Sequence, residues 1–156
     1  MKVISIILLS IFVTHCKAQT NNLETIRKVY LKSAESEESA IQLINICGKN
    51  QDNSIIYAYK TVAELMLIEY KYNPLTKLKL FAEKTKQLDL IVSDNLNNIE
   101  IRFLRLCIQK QTPKFLDYNS NIKLDYTFII KNIDIQSQEL QEYINSTLKK
   151  IELDMH

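Results

Sequence analysis

The fold is indicated most clearly by the stretch NIEIRFLRLCIQKQ, residues 98–111. At helical spacing, its seven aliphatic, phenylalanine and cysteine side chains cover more than half of the helix circumference. Asn97 or Asn98 is a suitable N-cap, and Pro113 prevents the helix from continuing. Because a helix that is apolar on most sides must be covered by other elements, this stretch predicts an interior helix.

The rest of the chain divides in the same way, into about six or seven helices joined by short polar segments rich in Asn, Ser and Asp. The third helix, Ser54–Lys71, is also apolar around most of its circumference and is predicted to be central. The remaining segments are largely one-sided, and they lie at about 23–33, 36–47, 73–92, 122–132 and 137–153. The pattern predicts an all-α fold, built as a stack of antiparallel helical hairpins or as an irregular bundle.

Two scarce residue types exclude several classes of function. Gly48 is the only glycine, so hairpin turns, phosphate-binding loops and dinucleotide fingerprints cannot form in their usual glycine-dependent way. The histidines are His15, in the N-terminal apolar segment, and His156, at the last position. Histidine-dependent nucleophilic catalysis and a histidine-rich zinc site are therefore disfavoured, and we expect neither a cofactor nor a metal.

The first eighteen residues predict an export signal. Lys2 supplies a positive charge, Val3–Val13 is an apolar run, and Cys16-Lys17-Ala18 places small residues where signal peptidase cleaves. The expected products are a signal peptide at 1–18 and one helical domain at 19–156, periplasmic or secreted. An alternative is a lipoprotein anchored at Cys16, although His15 precedes it where that processing prefers a small residue.

The charge of the predicted mature chain argues against an anionic polymer as partner. Removing residues 1–18 leaves 138 residues with equal numbers of basic and acidic side chains, 18 of each. No basic excess remains for a phosphate backbone, so nucleic acid is not an expected partner. No later apolar run approaches the roughly 20 residues that a membrane span needs, so stable membrane insertion is not expected either.

Two cysteines remain in the mature chain, Cys47 and Cys107. In an oxidising compartment they would be able to form a disulfide. Each also lies on an apolar helical face, where a buried free thiol is common. The sequence leaves both states open.

One polar group stands out on the predicted fifth helix. Arg102, Arg105 and Gln109 share a narrow face, and two guanidinium groups on a rigid helix suit a carboxylate or phosphate ligand. Three residues of the following connection are predicted to line the same groove: Tyr118, Asn119 and Asn121. The alternative is that the arginines pair with Asp or Glu of a neighbouring helix, or face water.

Two further functions give different structural expectations. A cell-wall glycan hydrolase needs two carboxylates facing one pocket, and Glu69, placed within the apolar arc of the third helix, is the candidate buried acid. A small-ligand carrier needs an enclosed apolar cavity, expected between the third, fourth and fifth helices.

Part of the chain resembles tetratricopeptide-like repeats. The likeness rests on Phe81–Lys84, Leu88-Asp89 and Asn97–Arg102, since repeats of that family end a helix in a similar acidic, Asn-rich turn. It covers roughly residues 55–111 and lacks the glycine and small-residue positions of the motif. The whole chain, with its predicted cleavage between Ala18 and Gln19, also resembles small exported all-α proteins of Bacteroidetes-type bacteria. Neither resemblance implies a particular activity.

The main hypothesis from the sequence is therefore an exported helical scaffold without catalytic activity. It would bind a protein or peptide in the cell envelope through a groove between hairpins. Arg102 and Arg105 are the predicted polar anchors of that groove.

Overall fold

A computed structural model of the chain describes residues 23–48 and 52–153, and this part is all-α, without strands. Its α-helices are α1 (23–33), α2 (Glu37–Cys47), α3 (Ser54–Met66), α4 (Pro74–Asp94), α5 (Ile99–Gln111), α6 (Ile122–Asn132) and α7 (Gln138–Leu153). Short 3₁₀ helices follow α3, α5 and α6, at Leu67–Tyr70, Lys114–Leu116 and Ile133–Ile135. The all-α prediction is confirmed. The predicted signal at 1–18, with Cys16, lies outside the described residues.

Local capping explains where the helices begin and end. Asn53, Asn73 and Asn98 each precede a helix, and each side-chain oxygen accepts two backbone N–H groups of the first turn. These N–H groups have no partner within the helix, so the caps satisfy them. Gly48 ends α2 with φ of 59°, a backbone conformation that other residues rarely adopt.

The interior helix predicted from the sequence is α5. All of its residues from Ile99 to Gln109 are buried, and the helix packs against α3, α4, α6 and α7. The third helix is also largely buried, from Ile56 to Leu65, so the core forms around α3 and α5. Because α5 contacts helices on both sides of it in the chain, the arrangement fits a helical bundle or a stack of helical hairpins.

The end of the third helix differs from the prediction. The third helix was predicted to reach Lys71, but the α-helix ends at Met66 and tightens into the 3₁₀ helix Leu67–Tyr70. This change of helical geometry turns Glu69 outward, so the prediction that Glu69 is partly buried is wrong. The first turns of α4 pack on this short 3₁₀ helix, and Leu78 of α4 is 49% exposed.

Within the part of the chain that the structure describes, no helix combines the length and apolar character that crossing a bilayer requires.

The cap of α5 gives a direct test of this fold. Replacing Asn98 by Ala removes the acceptor for the N–H groups of Glu100 and Ile101, both 3.1 Å from it. We expect the free energy of unfolding, measured by urea denaturation, to fall by about 1 kcal/mol. The control is Asn145→Ala at an exposed position of α7, which should change it by less than about 0.5 kcal/mol. Equal effects of the two variants would contradict the capping role.

Candidate functional site

The polar residues singled out on α5 converge on one buried carboxylate, that of Asp125 on α6. Arg102 donates from Nη1 to Oδ1 at 3.0 Å. Arg105 donates from Nη2 to Oδ1 at 2.8 Å and from Nε to Oδ2 at 2.7 Å. Gln109 adds a longer bond, from Nε2 to Oδ2 at 3.3 Å. Asp125 is 0% exposed, so four hydrogen bonds replace its hydration.

The two arginines have further partners within the bundle. Arg102 donates from Nε to the carbonyl of Leu96 at 2.7 Å, and its guanidinium carbon lies 4.4 Å from the ring centroid of Phe128. Arg105 donates from Nη1 to Asp89 at 3.0 Å. Burial lowers the pKa of Arg105, but its hydrogen bonds and charge interactions with the two aspartates outweigh burial and raise the pKa overall.

Of the three residues predicted in the connection after α5, Tyr118 and Asn121 contact this cluster and Asn119 does not. The Tyr118 hydroxyl donates to Asp89 at 3.0 Å, and burial raises its pKa above the usual range. Gln109 accepts from the backbone N–H of Asn121 at 2.9 Å. Asn119 is exposed and lies apart from these contacts.

The face of α5 that was predicted to bind an anionic ligand is therefore buried, and its arginines bind an acid of the protein itself. The arrangement is the alternative that the sequence left open, in which the arginines pair with an acid of a neighbouring helix. We call Arg102, Arg105, Gln109, Asp125, Asp89 and Tyr118 the Asp125 cluster. Since Arg102 and Arg105 are buried and bonded to Asp125, they do not form the open groove that a ligand would enter.

A second buried cluster lies at the start of α5 and was missed by the sequence analysis. Glu100 is 2% exposed and accepts two hydrogen bonds from Arg27 of α1, both 2.8 Å long. The Tyr59 hydroxyl donates to the same carboxylate at 2.7 Å and lies 2.9 Å from the Tyr143 hydroxyl. Arg27 also pairs with Glu139 at 2.7 Å. The sequence did contain one indication of this cluster, namely the acid Glu100 on an otherwise apolar interior helix. Such an acid needs a cationic partner.

Of the two states that the sequence left open, the structure has the buried free thiol at both Cys47 and Cys107. They lie on α2 and on the central helix α5, each within the apolar core. Burial raises the pKa of Cys47 to about 11 and that of Cys107 to about 12. A raised pKa lowers the thiolate fraction near neutral pH, so both thiols are poor nucleophiles and poor metal ligands.

The candidate site for function is a cleft at the opposite end of α5 from Glu100. It has a volume of about 630 Å³ and lies between the ends of α1, α3 and α5 and the start of α4. Its lining is mainly apolar, and includes Leu65, Met66, Leu78, Phe81, Ile108 and Phe115. We call it the apolar cleft.

The cleft is open, and its rim carries exposed apolar side chains. Phe115 is 81% exposed, and Tyr70 and Leu78 are also exposed while lining the cleft. Tyr72 and Leu75, which lie between Tyr70 and Leu78 in the chain, are exposed as well. This cleft is open, whereas the carrier hypothesis calls for an enclosed cavity between the third, fourth and fifth helices.

Two charged side chains line the cleft. Lys77 donates from Nζ to the backbone carbonyl of Glu69 at 2.8 Å, so it is held at the rim. Glu69 is the one carboxylate among the described lining residues, and the two-carboxylate arrangement of a glycan hydrolase is not met there.

Among the described residues, no group of three or more His, Cys, Asp or Glu side chains is placed to hold a metal ion. The chain has no significant match among protein-family models, curated proteins or solved structures.

The Asp125 cluster predicts a large stability effect from one substitution. Asp125→Asn keeps the shape but removes the charge that Arg102 and Arg105 share, which leaves the buried Arg102 without a carboxylate partner and Arg105 with Asp89 alone. We expect the free energy of unfolding in urea to fall by about 3 kcal/mol or more. Asp134→Asn, an exposed acid of the 3₁₀ helix after α6, is the control and should have little effect. A loss below about 1 kcal/mol for Asp125→Asn would contradict a structural role of the cluster.

The cysteines predict resistance to alkylation. In the native protein, iodoacetamide at about pH 8 should modify Cys47 and Cys107 far more slowly than in denaturant, because the thiols are buried and protonated. Peptide mapping by mass spectrometry follows each site. Rapid native alkylation, or a disulfide-linked peptide pair that joins the two cysteines, would contradict this arrangement.

Proposed function

We propose that this protein is a binding protein that holds an apolar segment of a protein partner in the apolar cleft. The observation that carries the proposal is the cleft together with its exposed apolar rim. A volume of about 630 Å³ is within the range of ligand sites. An apolar side chain of a partner would leave water and make van der Waals contacts with the apolar lining.

The rim favours a polypeptide partner over a small ligand. Tyr70, Leu78 and Phe115 line the cleft and still expose apolar surface to solvent, more than a small molecule inside the cleft would cover. Adjoining exposed apolar residues of this kind mark protein-contact surfaces in monomers. An amphipathic helix or an extended segment would bury its apolar side chains in the cleft and cover the rim with its backbone.

The location of the partner follows from the predicted export signal. If residues 1–18 are removed during export, the cleft is displayed in the cell envelope or outside the cell, and we place the partner there. This step rests on the sequence pattern of residues 2–18 alone.

A small-ligand carrier is the second candidate, because the cleft lies where that hypothesis placed a cavity. Side chains of α3, α4 and α5 line it, including Met66, Phe81 and Ile108. The two candidates differ in what the purified protein retains. Native mass spectrometry of a carrier should show an added mass that disappears on denaturation, whereas an empty cleft awaiting a protein segment gives the mass of the chain alone.

Peptide selection tests the proposal directly, because it samples many candidate segments at once. Peptides selected by phage display on the wild-type protein should share apolar residues at fixed spacing, and fluorescence anisotropy should detect their binding. Leu78→Asp places a charge in the cleft lining and should weaken this binding at least about tenfold, because an apolar contact is replaced by a group that requires water.

The matched control is Leu124→Asp, at an exposed leucine of α6 that does not line the cleft. It should leave peptide affinity unchanged. Thermal unfolding of both variants verifies that they fold. Selected peptides that bind Leu78→Asp as well as they bind the wild type would overturn the proposal.

A further inference from the structure

A second cavity adjoins the apolar cleft along α4. It has a volume of about 540 Å³, and it shares two lining residues, Phe81 and Leu116, with the cleft. We call it the second pocket, and we call the two cavities together the α4 groove, because they meet at these shared side chains. The other residues that line the second pocket include Ala82, Thr85, Lys86 and Asp89 of α4 and Asp117 and Tyr118 of the connection after α5.

The α4 groove follows one side of α4 for several turns. Its lining includes Pro74, Leu78, Phe81, Thr85 and Asp89, whose spacing of three or four residues places them on one strip of the helix. With a rise of about 1.5 Å per residue, the strip from Pro74 to Asp89 is about 22 Å long. A peptide covers that distance with roughly seven residues when it is extended or about fifteen when it is helical. The groove therefore has the length of a polypeptide segment.

The second pocket is more polar than the apolar cleft, and it contains a carboxylate whose position is fixed. Asp89 accepts from Arg105 Nη1 and from the Tyr118 hydroxyl, both at 3.0 Å, and both bonds go to Oδ1. No hydrogen bond from a described residue reaches Oδ2, and the Asp89 side chain is 41% exposed. Asp89 therefore offers a ligand an acceptor oxygen that is held in place by the bonds to its other oxygen.

Hydrogen bonding, rather than net charge, gives the second pocket its selectivity. Arg105 offsets the charge of Asp89, which leaves Lys86 and Asp117 as one cation and one anion in the lining. The free oxygen of Asp89 can only accept a hydrogen bond. It suits an N–H or O–H group of a ligand, and it does not suit a second carboxylate.

We infer that the bound segment continues from the apolar cleft into the second pocket, where it donates a hydrogen bond to Oδ2 of Asp89. This inference rests on the proposed function. The segment then has two parts, namely apolar anchors in the cleft and, beside them, a residue with an N–H or O–H donor. Since Arg105 and Tyr118 already hold Asp89, little free energy is lost to ordering the acceptor.

Two fluorescein-labelled peptides test the extension into the second pocket. The full peptide is the tightest binder selected by phage display from a library of peptides about sixteen residues long, which span the groove even as a helix. The short peptide is the part of it that contains the apolar residues. Ala82→Arg places a long side chain in the second pocket, and Ala82 does not line the apolar cleft. By anisotropy, it should weaken the full peptide at least about tenfold and leave the short peptide unchanged.

Asp89→Asn tests the hydrogen bond itself. The donors Arg105 and Tyr118 select the amide orientation that keeps an oxygen toward them, so an N–H₂ donor replaces the acceptor Oδ2. We expect the full peptide to bind roughly fivefold more weakly, because its donor then faces another donor. The short peptide should bind this variant as tightly as it binds the wild type.

The control is Thr127→Arg, which adds the same side chain as Ala82→Arg at an exposed position of α6 outside both cavities and should change neither affinity. Thermal unfolding verifies that each variant folds. Undiminished binding of the full peptide to Ala82→Arg would overturn the extension while leaving apolar docking intact. Undiminished binding to Asp89→Asn would overturn the hydrogen bond to Asp89. A library without binders, or peptides that bind Leu78→Asp as tightly as the wild type, would instead refute the proposed function.

Discussion

The bonds between Asp125 and the two arginines of α5 are the constraint on which the arrangement of the helices depends. An interior helix has no solvent-facing side, so each charged residue on it must find a partner on another element. Arg102 and Arg105 find it on α6, and Arg105 continues to Asp89 on α4. These bonds act over fixed distances, so they set the position of α6 along α5 as well as its proximity. Apolar packing alone tolerates small sliding between helices, whereas this carboxylate is satisfied in one register only.

The second buried cluster, formed around Glu100, links α5 to other helices on another side of α5. Arg27 joins α1 to α5 and, through Glu139, to α7, and the Tyr59 hydroxyl brings in α3. The hydrogen bond with Glu100 raises the pKa of Arg27, although burial opposes this shift. The free energy needed to remove two charges from water is about as large as the free energy gained from their attraction. Neither cluster therefore needs to add much net stability. The free energy of folding comes mainly from the apolar core around α3 and α5, and the two clusters select which packing of that core forms.

The sequence predicted the helices well because their signals are local. Each Asn or Ser cap lies within three residues of the groups it bonds, and the apolar pattern of α5 is contained in α5 itself. Pairing between distant residues has no such signal. Arg102 and Asp125 are 23 positions apart, and Arg27 and Glu100 are 73 apart, so only the packed structure distinguishes these acids from the others. The same limit explains Glu69, since its exposure depends on the change from α to 3₁₀ geometry after Met66, within a continuous apolar pattern.

The apolar cleft also arises from packing rather than from a motif. Because α3 ends at Met66 and the chain turns through Leu67–Tyr70 before α4 begins, the first turns of α4 lie beside a short helix and keep part of their apolar face uncovered. Phe115 adds to this surface from the 3₁₀ helix that follows α5. The Asp125 cluster adjoins the cleft, since the ring of Tyr118 packs on that of the lining residue Phe81. Within the cluster, Asp89 of α4 accepts from Arg105 of α5 and from Tyr118 of the connection that follows α5. These bonds join the elements that carry the walls of the cleft, and any binding site whose walls are already held in place loses less free energy to ordering when it binds.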